Sequence, residues 1–176
     1  MKQIIKEDDQ ALIIREDDRV IKEYRQPKDY IDRNWLYHYQ GFSKMYGGVI
    51  TVHEANQHRI VMDYIEGESL KTLLFNTGGK NPDHEFTYKC FAAILQALAN
   101  MAEFSSMKKT VWFHGDTGPH NFMYTGKEFI LIDPDSFIFR DNPFPGTFVS
   151  TLDPLQKILE TIHFMHENDY KKMRLK

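Results

Sequence analysis

The chain opens on two nearly repeated units, "IIKEDDQAL" and "IIREDDRVI", each an isoleucine pair, a basic residue, an acidic run and a return to apolar positions. Two units are too few for a solenoid. The pattern predicts three short strands near residues 2–7, 11–16 and 19–25, joined by Asp-rich turns. Alternation in "RVIKEYR" places Lys22 on the face that carries Val20 and Tyr24. After Pro27 the period changes. Tyr30, Ile31, Trp35 and Leu36 recur at helical spacing within "KDYIDRNWLYHYQGFSK", and Gly47 and Gly48 end that unit. "VITVHEA" and "HRIVMDYI" then predict a hairpin turned at Asn56 and Gln57, and "EGESLKTLL" turns through Gly67 into a short helix.

The loop "FNTGGKNPDHE" breaks the pattern with a Gly pair and Asn81-Pro82. "FTYKCFAAILQALANMAEFSSMK" is the longest helical run, and its all-round apolarity predicts burial. Two short strands, "TVWFH" and "EFILID", flank a polar loop. "TLDPLQKILETIHFMHEN" predicts a last helix with Thr151 or Asp153 as N-cap and Pro154 at its first position. Strands, a helix, more strands and then mostly helices make an α+β pattern in two lobes: residues 1–66 and a helical 67–176, together one domain.

Composition narrows this reading. The chain has 176 residues, 41% of them apolar and 14% aromatic, enough for a core. A net charge of −3 argues against nucleic acid or an anionic membrane as partner. Cys90 is the one cysteine, so no disulfide framework exists, and its neighbours Phe91, Ala92 and Ala93 predict a buried thiol. No stretch has the length of a signal peptide's apolar region or of a membrane span. A reducing cytoplasm is the expected setting.

The chemistry gathers in "VWFHGDTGPHNFMY". Phosphoryl transfer needs a carboxylate facing the acceptor hydroxyl, oxygen ligands that hold Mg²⁺ against nucleotide phosphates, and a cation on those phosphates. Asp116 and Asn121 stand at the Asp-x-x-x-x-Asn spacing of a kinase catalytic loop. Asp133, in "LIDPDSF", follows twelve residues later, after a strand that lays its end beside the loop. Lys22 is the upstream candidate cation.

On these residues the chain resembles the protein-kinase-like superfamily over most of its length. "HGDTGPHN" resembles the loop of aminoglycoside and choline kinases and of atypical Rio-type kinases. "IDPDSF" is similar to the D-P-x-S-F run of fructosamine kinases and of early kinases of lytic phages. "RVIKEYR" resembles the strand that carries the ATP-contacting Lys, and "RIVMDYIEGESL" the fifth strand and hinge. The resemblance implies a compact kinase-like fold using ATP and Mg²⁺. It makes Asp116 the catalytic base, Asn121 and Asp133 metal ligands, and Lys22 the contact to the α/β-phosphates. The adenine falls near Met62, Asp63, Tyr64 and Ile65, and His114 braces the loop. Asp135 has two open readings, a second Mg²⁺ ligand or a turn cap.

The chain departs from the family pattern in three places. The first turn, "KEDDQ", has no glycine where most kinases have a glycine-rich loop. Its acidic residues Glu7, Asp8 and Asp9 are expected to face solvent. The helix after Pro27 holds no Glu to partner Lys22, so Asp32, with Asp29 behind it, is the stand-in; failing both, Lys22 is left to Asp133 or to no partner. The Phe/Pro-rich segment 137–149, with Phe137, Phe139, Phe144 and Phe148, is expected to offer an acceptor loop, a dimer contact or a docking patch.

The main expectation is therefore an ATP-dependent kinase acting on a hydroxyl, a protein Ser/Thr ahead of a small molecule such as an aminoglycoside, choline or sugar. A catalytically inactive pseudokinase is the second reading. A metallohydrolase using His114, Asp116 and His120 is the third.

Overall fold

The three alternating runs form β1 (Lys2–Glu7), β2 (Ala11–Glu16) and β3 (Arg19–Tyr24) in the computed structural model of the chain, which describes residues 2–75 and 84–140. The hairpin follows as β4 (Val52–Asn56) and β5 (Arg59–Asp63). All five strands make one antiparallel sheet in the order β1-β2-β3-β5-β4. The centre falls on β3, where Val20 pairs with Met62 and Lys22 pairs with Ile13 on one side and Ile60 on the other. Asp17 turns the second hairpin at φ 55°, a left-handed conformation that a short polar side chain tolerates.

Between β3 and β4 runs α1 (Arg33–Tyr46), which starts later than its periodicity suggests because Asp32 caps it. The Asp32 carboxylate accepts from the Trp35 amide at 2.8 Å. Trp35, Tyr39 and Phe42 form its buried stripe. The helix stops at Gly47, whose left-handed φ of 64° lets its N–H return to the Ser43 carbonyl at 2.9 Å.

The second half contains β6 (Glu68–Ser69), α2 (Leu70–Phe75), α3 (His84–Lys108), β7 (Val111–His114), β8 (Phe122–Tyr124), β9 (Phe129–Leu131) and β10 (Phe137–Arg140). Two small sheets join them, β6-β8-β9 and β10-β7. The expected hairpin, the first three expected helices and the two expected short strands, β7 and β9, are present. By contrast β6, β8 and β10 went unforeseen, because their residues sit inside or beside turn- and loop-like stretches, whereas the equally short β7 and β9 stand out as apolar runs. No helix among the described residues is long and apolar enough to cross a membrane.

The core gathers around Trp112 of β7. Its ring stacks on Phe137 at 5.1 Å between centroids and is walled by Trp35, Tyr39, Phe42 and Phe104. Phe137, expected in an exposed patch, is thus wholly buried. Half-buried Phe139 stacks on His38 at 4.1 Å. Pairing with β7 turns alternate β10 side chains inward, an outcome that composition alone does not reveal. Phe144 and Phe148, the loop 76–83 and the helix expected from Thr151 lie outside the described residues.

Cys90 is buried inside α3, and burial pushes its thiol up to about 11, against 9.0 when unperturbed. A raised folded value means that stability is complete below about pH 9 and falls as pH climbs toward 11. At pH 8 the folded chain should hold about a hundredfold less thiolate than the unfolded chain. A disulfide reagent should therefore modify Cys90 about a hundredfold more slowly in buffer than in urea. Equal rates would place the thiol at the surface.

Candidate functional site

Two short pairings bring the polar loop and the Asp133 segment together. His114, the last residue of β7, pairs with Phe137, the first of β10, and Phe122 of β8 pairs with Leu131 of β9. Residues 115–121 and 132–136 consequently run side by side. The Gly115 N–H donates to the Ser136 carbonyl at 2.8 Å, and the Ile132 N–H to the Asn121 carbonyl at 2.7 Å.

His114 braces this junction from within. The Asp116 amide donates to its Nδ1 at 3.1 Å, so Nε2 carries the proton and donates to the carbonyls of Ile132 and Asp133 at 3.1 and 3.2 Å. Burial pushes the imidazole pKa below 6.5 against the pull of neighbouring carboxylates and carbonyls, which keeps the ring neutral for this arrangement. Asp133 itself is left-handed, with φ 63° and ψ 60°. Ser136 holds it there, its hydroxyl donating to Asp133 Oδ2 at 2.7 Å and its N–H to the Asp133 carbonyl at 3.0 Å.

Lys22 crosses from β3 to this strap. Its ammonium donates to Oδ1 of Asp133 and to Oδ1 of Asp135, each at 2.6 Å. Burial opposes the Lys22 charge, but Asp135 and Asp133 outweigh it and raise the ammonium's pKa. Burial also opposes the Asp133 charge, yet the ammonium and the hydrogen bonds hold its carboxyl well below the usual range. Burial and the Asp133 charge together push Asp135 upward. One ammonium between two carboxylates leaves the pair a net anion, suited to a further cation.

Across the cleft, Asp116 Oδ2 lies 2.8 Å from His120 Nε2. Asn121 donates its amide N–H to the Asp116 carbonyl at 2.7 Å, which commits the side-chain nitrogen and leaves the oxygen as an acceptor. Gly118 makes room for this fold-back, since a Cβ there would lie 2.7 Å from the His120 ring. The contact between His120 and Asp116 was not foreseen. Its only sequence signal is the spacing of four residues across a Gly-Pro turn.

These side chains line two neighbouring cavities, of about 270 and 580 Å³, which share Lys22, Lys28, Asp116, Asp133 and Asp135. Asn121 lines the smaller one. Five expected site residues, Lys22, Asp116, Asn121, Asp133 and Asp135, are therefore brought together. Asp32 is not among them: it caps α1, and the strap carboxylates take Lys22 instead. Met62 is buried in the sheet, and Asp63 is held by Arg19 and by His53 at 2.7 Å. Tyr64 lies under the Arg15 guanidinium at 3.6 Å, and Ile65 packs against the core. None of those four lines either cavity. The turn "KEDDQ" departs from expectation at Asp8, which faces the smaller cavity. The Lys6 ion pair and the amides of Ala11 and Gln10 hold its carboxyl down to about 2.

No group of three or more His, Cys, Asp and Glu side chains converges as a metal site among the described residues. His114 faces carbonyls rather than sharing a ligand set with Asp116 and His120, which removes the basis of the metallohydrolase expectation. The oxygen set formed by Asp133, Asp135 and Asn121 instead fits Mg²⁺, a hard cation commonly held by one or two carboxylates together with substrate phosphates.

No protein-family model and no curated protein matches the chain. Solved structures that resemble it include an apo pseudokinase, at 10% identity and a TM-score of 0.47 over 74% of this chain and 55% of that one. Another is a choline/ethanolamine kinase family protein from Mesorhizobium loti, at 14% identity and a TM-score of 0.43 over 80% of this chain and 60% of that one. The chain thus spans less than two thirds of the length of either.

Proposed function

We propose that this cleft is the phosphoryl-transfer site of an ATP-dependent kinase acting on a hydroxyl acceptor. The observation that carries the reading is the convergence of Lys22, Asp116, Asn121, Asp133 and Asp135, drawn from a strand, a loop and a strap, on shared cavities. In this reading Asp116 accepts the proton of the acceptor hydroxyl as its oxygen attacks the γ-phosphorus, the bond from that phosphorus to the β,γ-bridging oxygen breaks and ADP leaves, and His120 holds the carboxylate in place. Asn121, Asp133 and Asp135 hold Mg²⁺, which when bound would offset phosphate charge. Lys22, held between those two carboxylates, would supply the positive charge for the phosphates. On the sequence grounds above, a protein Ser/Thr stands ahead of a small molecule as acceptor.

The pseudokinase reading draws on one specific feature. The first turn engages its own amides, with the N–H groups of Gln10 and Ala11 both given to Asp8 Oδ1, and so offers no glycine-rich cover. Nucleotide binding tests the site before any acceptor is known. ATP at a hundred times its Kd should stabilise the wild type by about 2.7 kcal/mol in the presence of Mg²⁺. Chelation or Asp133→Ala should abolish the thermal shift. A shift that persists in both would remove Asp133 from the metal site.

A further inference from the structure

The first turn leaves the phosphates without the backbone donors that a glycine-rich loop would supply, and the cleft wall above it carries cations instead. Lys6, Lys22 and Lys28 all line the smaller cavity on the sheet side, facing Asp116, Asn121, Asp133 and Asp135 on the loop side. Two of the three ammonium groups are already engaged. Lys6 pairs with Asp8 at 2.7 Å, and Lys22 is shared by Asp133 and Asp135.

Lys28 differs. Among the described residues it makes no ion pair, and its ammonium lies 5.7 Å from the centre of the Tyr24 ring, which the Lys22 ammonium approaches to 5.8 Å. Its backbone is held in place, with the N–H on the Gln57 carbonyl at 2.8 Å and the carbonyl accepting from Ile31 at 2.9 Å. It borders both cavities and is half-buried.

We infer that Lys28 is a phosphate-binding residue of this cleft, its ammonium taking the place of the missing backbone donors on the nucleotide's polyphosphate. The inference rests on the kinase reading and adds a residue to it. The Lys28 ammonium gains a charge-assisted hydrogen bond on binding and gives up no carboxylate, whereas Lys6 and Lys22 must each leave one. The Tyr24 ring keeps the cation over the cavity in the meantime.

Titration calorimetry with Mg²⁺-ATP, and separately with Mg²⁺-tripolyphosphate, tests this on wild type, Lys28→Ala and Lys28→Arg. Lys28→Ala should bind both probes about tenfold more weakly or worse, Lys28→Arg should recover most of the loss, and the apo melting temperature should stay unchanged. Equal affinity of wild type and Lys28→Ala for both probes would overturn the assignment of Lys28 while leaving the kinase reading intact. Failure of the wild type to bind either probe would overturn both.

Discussion

Asp116→Asn should lower γ-phosphoryl transfer from ATP by about a hundredfold to ten-thousandfold while leaving nucleotide binding nearly unchanged. Asparagine keeps the volume of the side chain and an oxygen for His120, which lies 2.8 Å from the carboxylate. It removes only the capacity to take a proton from the acceptor. Phosphate release from labelled ATP, autophosphorylation and transfer to added acceptors measure the first effect, and the Mg²⁺-ATP thermal shift measures the second. Retained transfer with intact binding would take the role of base away from Asp116. A lost thermal shift would mean that Asp116 belongs to the nucleotide site instead.

Trp112→Ala should destabilise the fold by about 3–5 kcal/mol, a large share of the roughly 5–15 kcal/mol that holds a domain together. The side chain is 1% exposed and stacks on Phe137 within the aromatic group that joins α1, α3, β7 and β10. Its removal leaves a cavity that the surrounding rings cannot fill without leaving their rotamers. Trp112→Phe should cost much less. The indole N–H of Trp112 is buried without a partner among the described residues, so the smaller ring loses packing but also removes an unsatisfied donor. Trp35 makes the contrast, since its indole N–H donates to the Phe137 carbonyl at 2.8 Å. Urea midpoints for the two variants measure both effects. A loss below about 1 kcal/mol for Trp112→Ala would mean that the cluster tolerates a void of that size.

Local features of the chain were legible because they depend on neighbours a few residues away. Strands near 2–7, 11–16 and 19–25 agree with β1 to β3 to within a residue, since β-branched residues and the polar turns between them mark the ends of each run, although β1 is exposed along its whole length. The hairpin was equally plain, and its turn carries an Asn56 side chain that accepts from the amides of His58 and Arg59. Asp116, Asn121 and Asp133 were readable as a set because the Asp-x-x-x-x-Asn spacing and the strand that ends at Asp133 lie within eighteen residues of chain, and the pairing of β8 with β9 folds that stretch back on itself. The strands β6, β8 and β10 escaped notice, and β10 carried Phe137 into the core because its pairing with β7, more than twenty residues earlier, has no local signal.

Sequence patterning by itself determined the α+β class, the strands and helices of the first half and the identity of a carboxylate-rich loop, because each follows from periodicity and short-range spacing. Tertiary structure alone decided what those residues face. Lys22 meets Asp133 and Asp135 across 111 and 113 positions of chain. Asp32 gave its carboxylate to a helix end that lay nearer in space and sequence. Asp8 turned to the cleft and Lys28 came to border it, although neither sits in a recognisable motif. Such partners depend on how the sheet packs over the loop, and the free energy of a buried ion pair or an aromatic stack belongs to surfaces that meet only after the chain has folded.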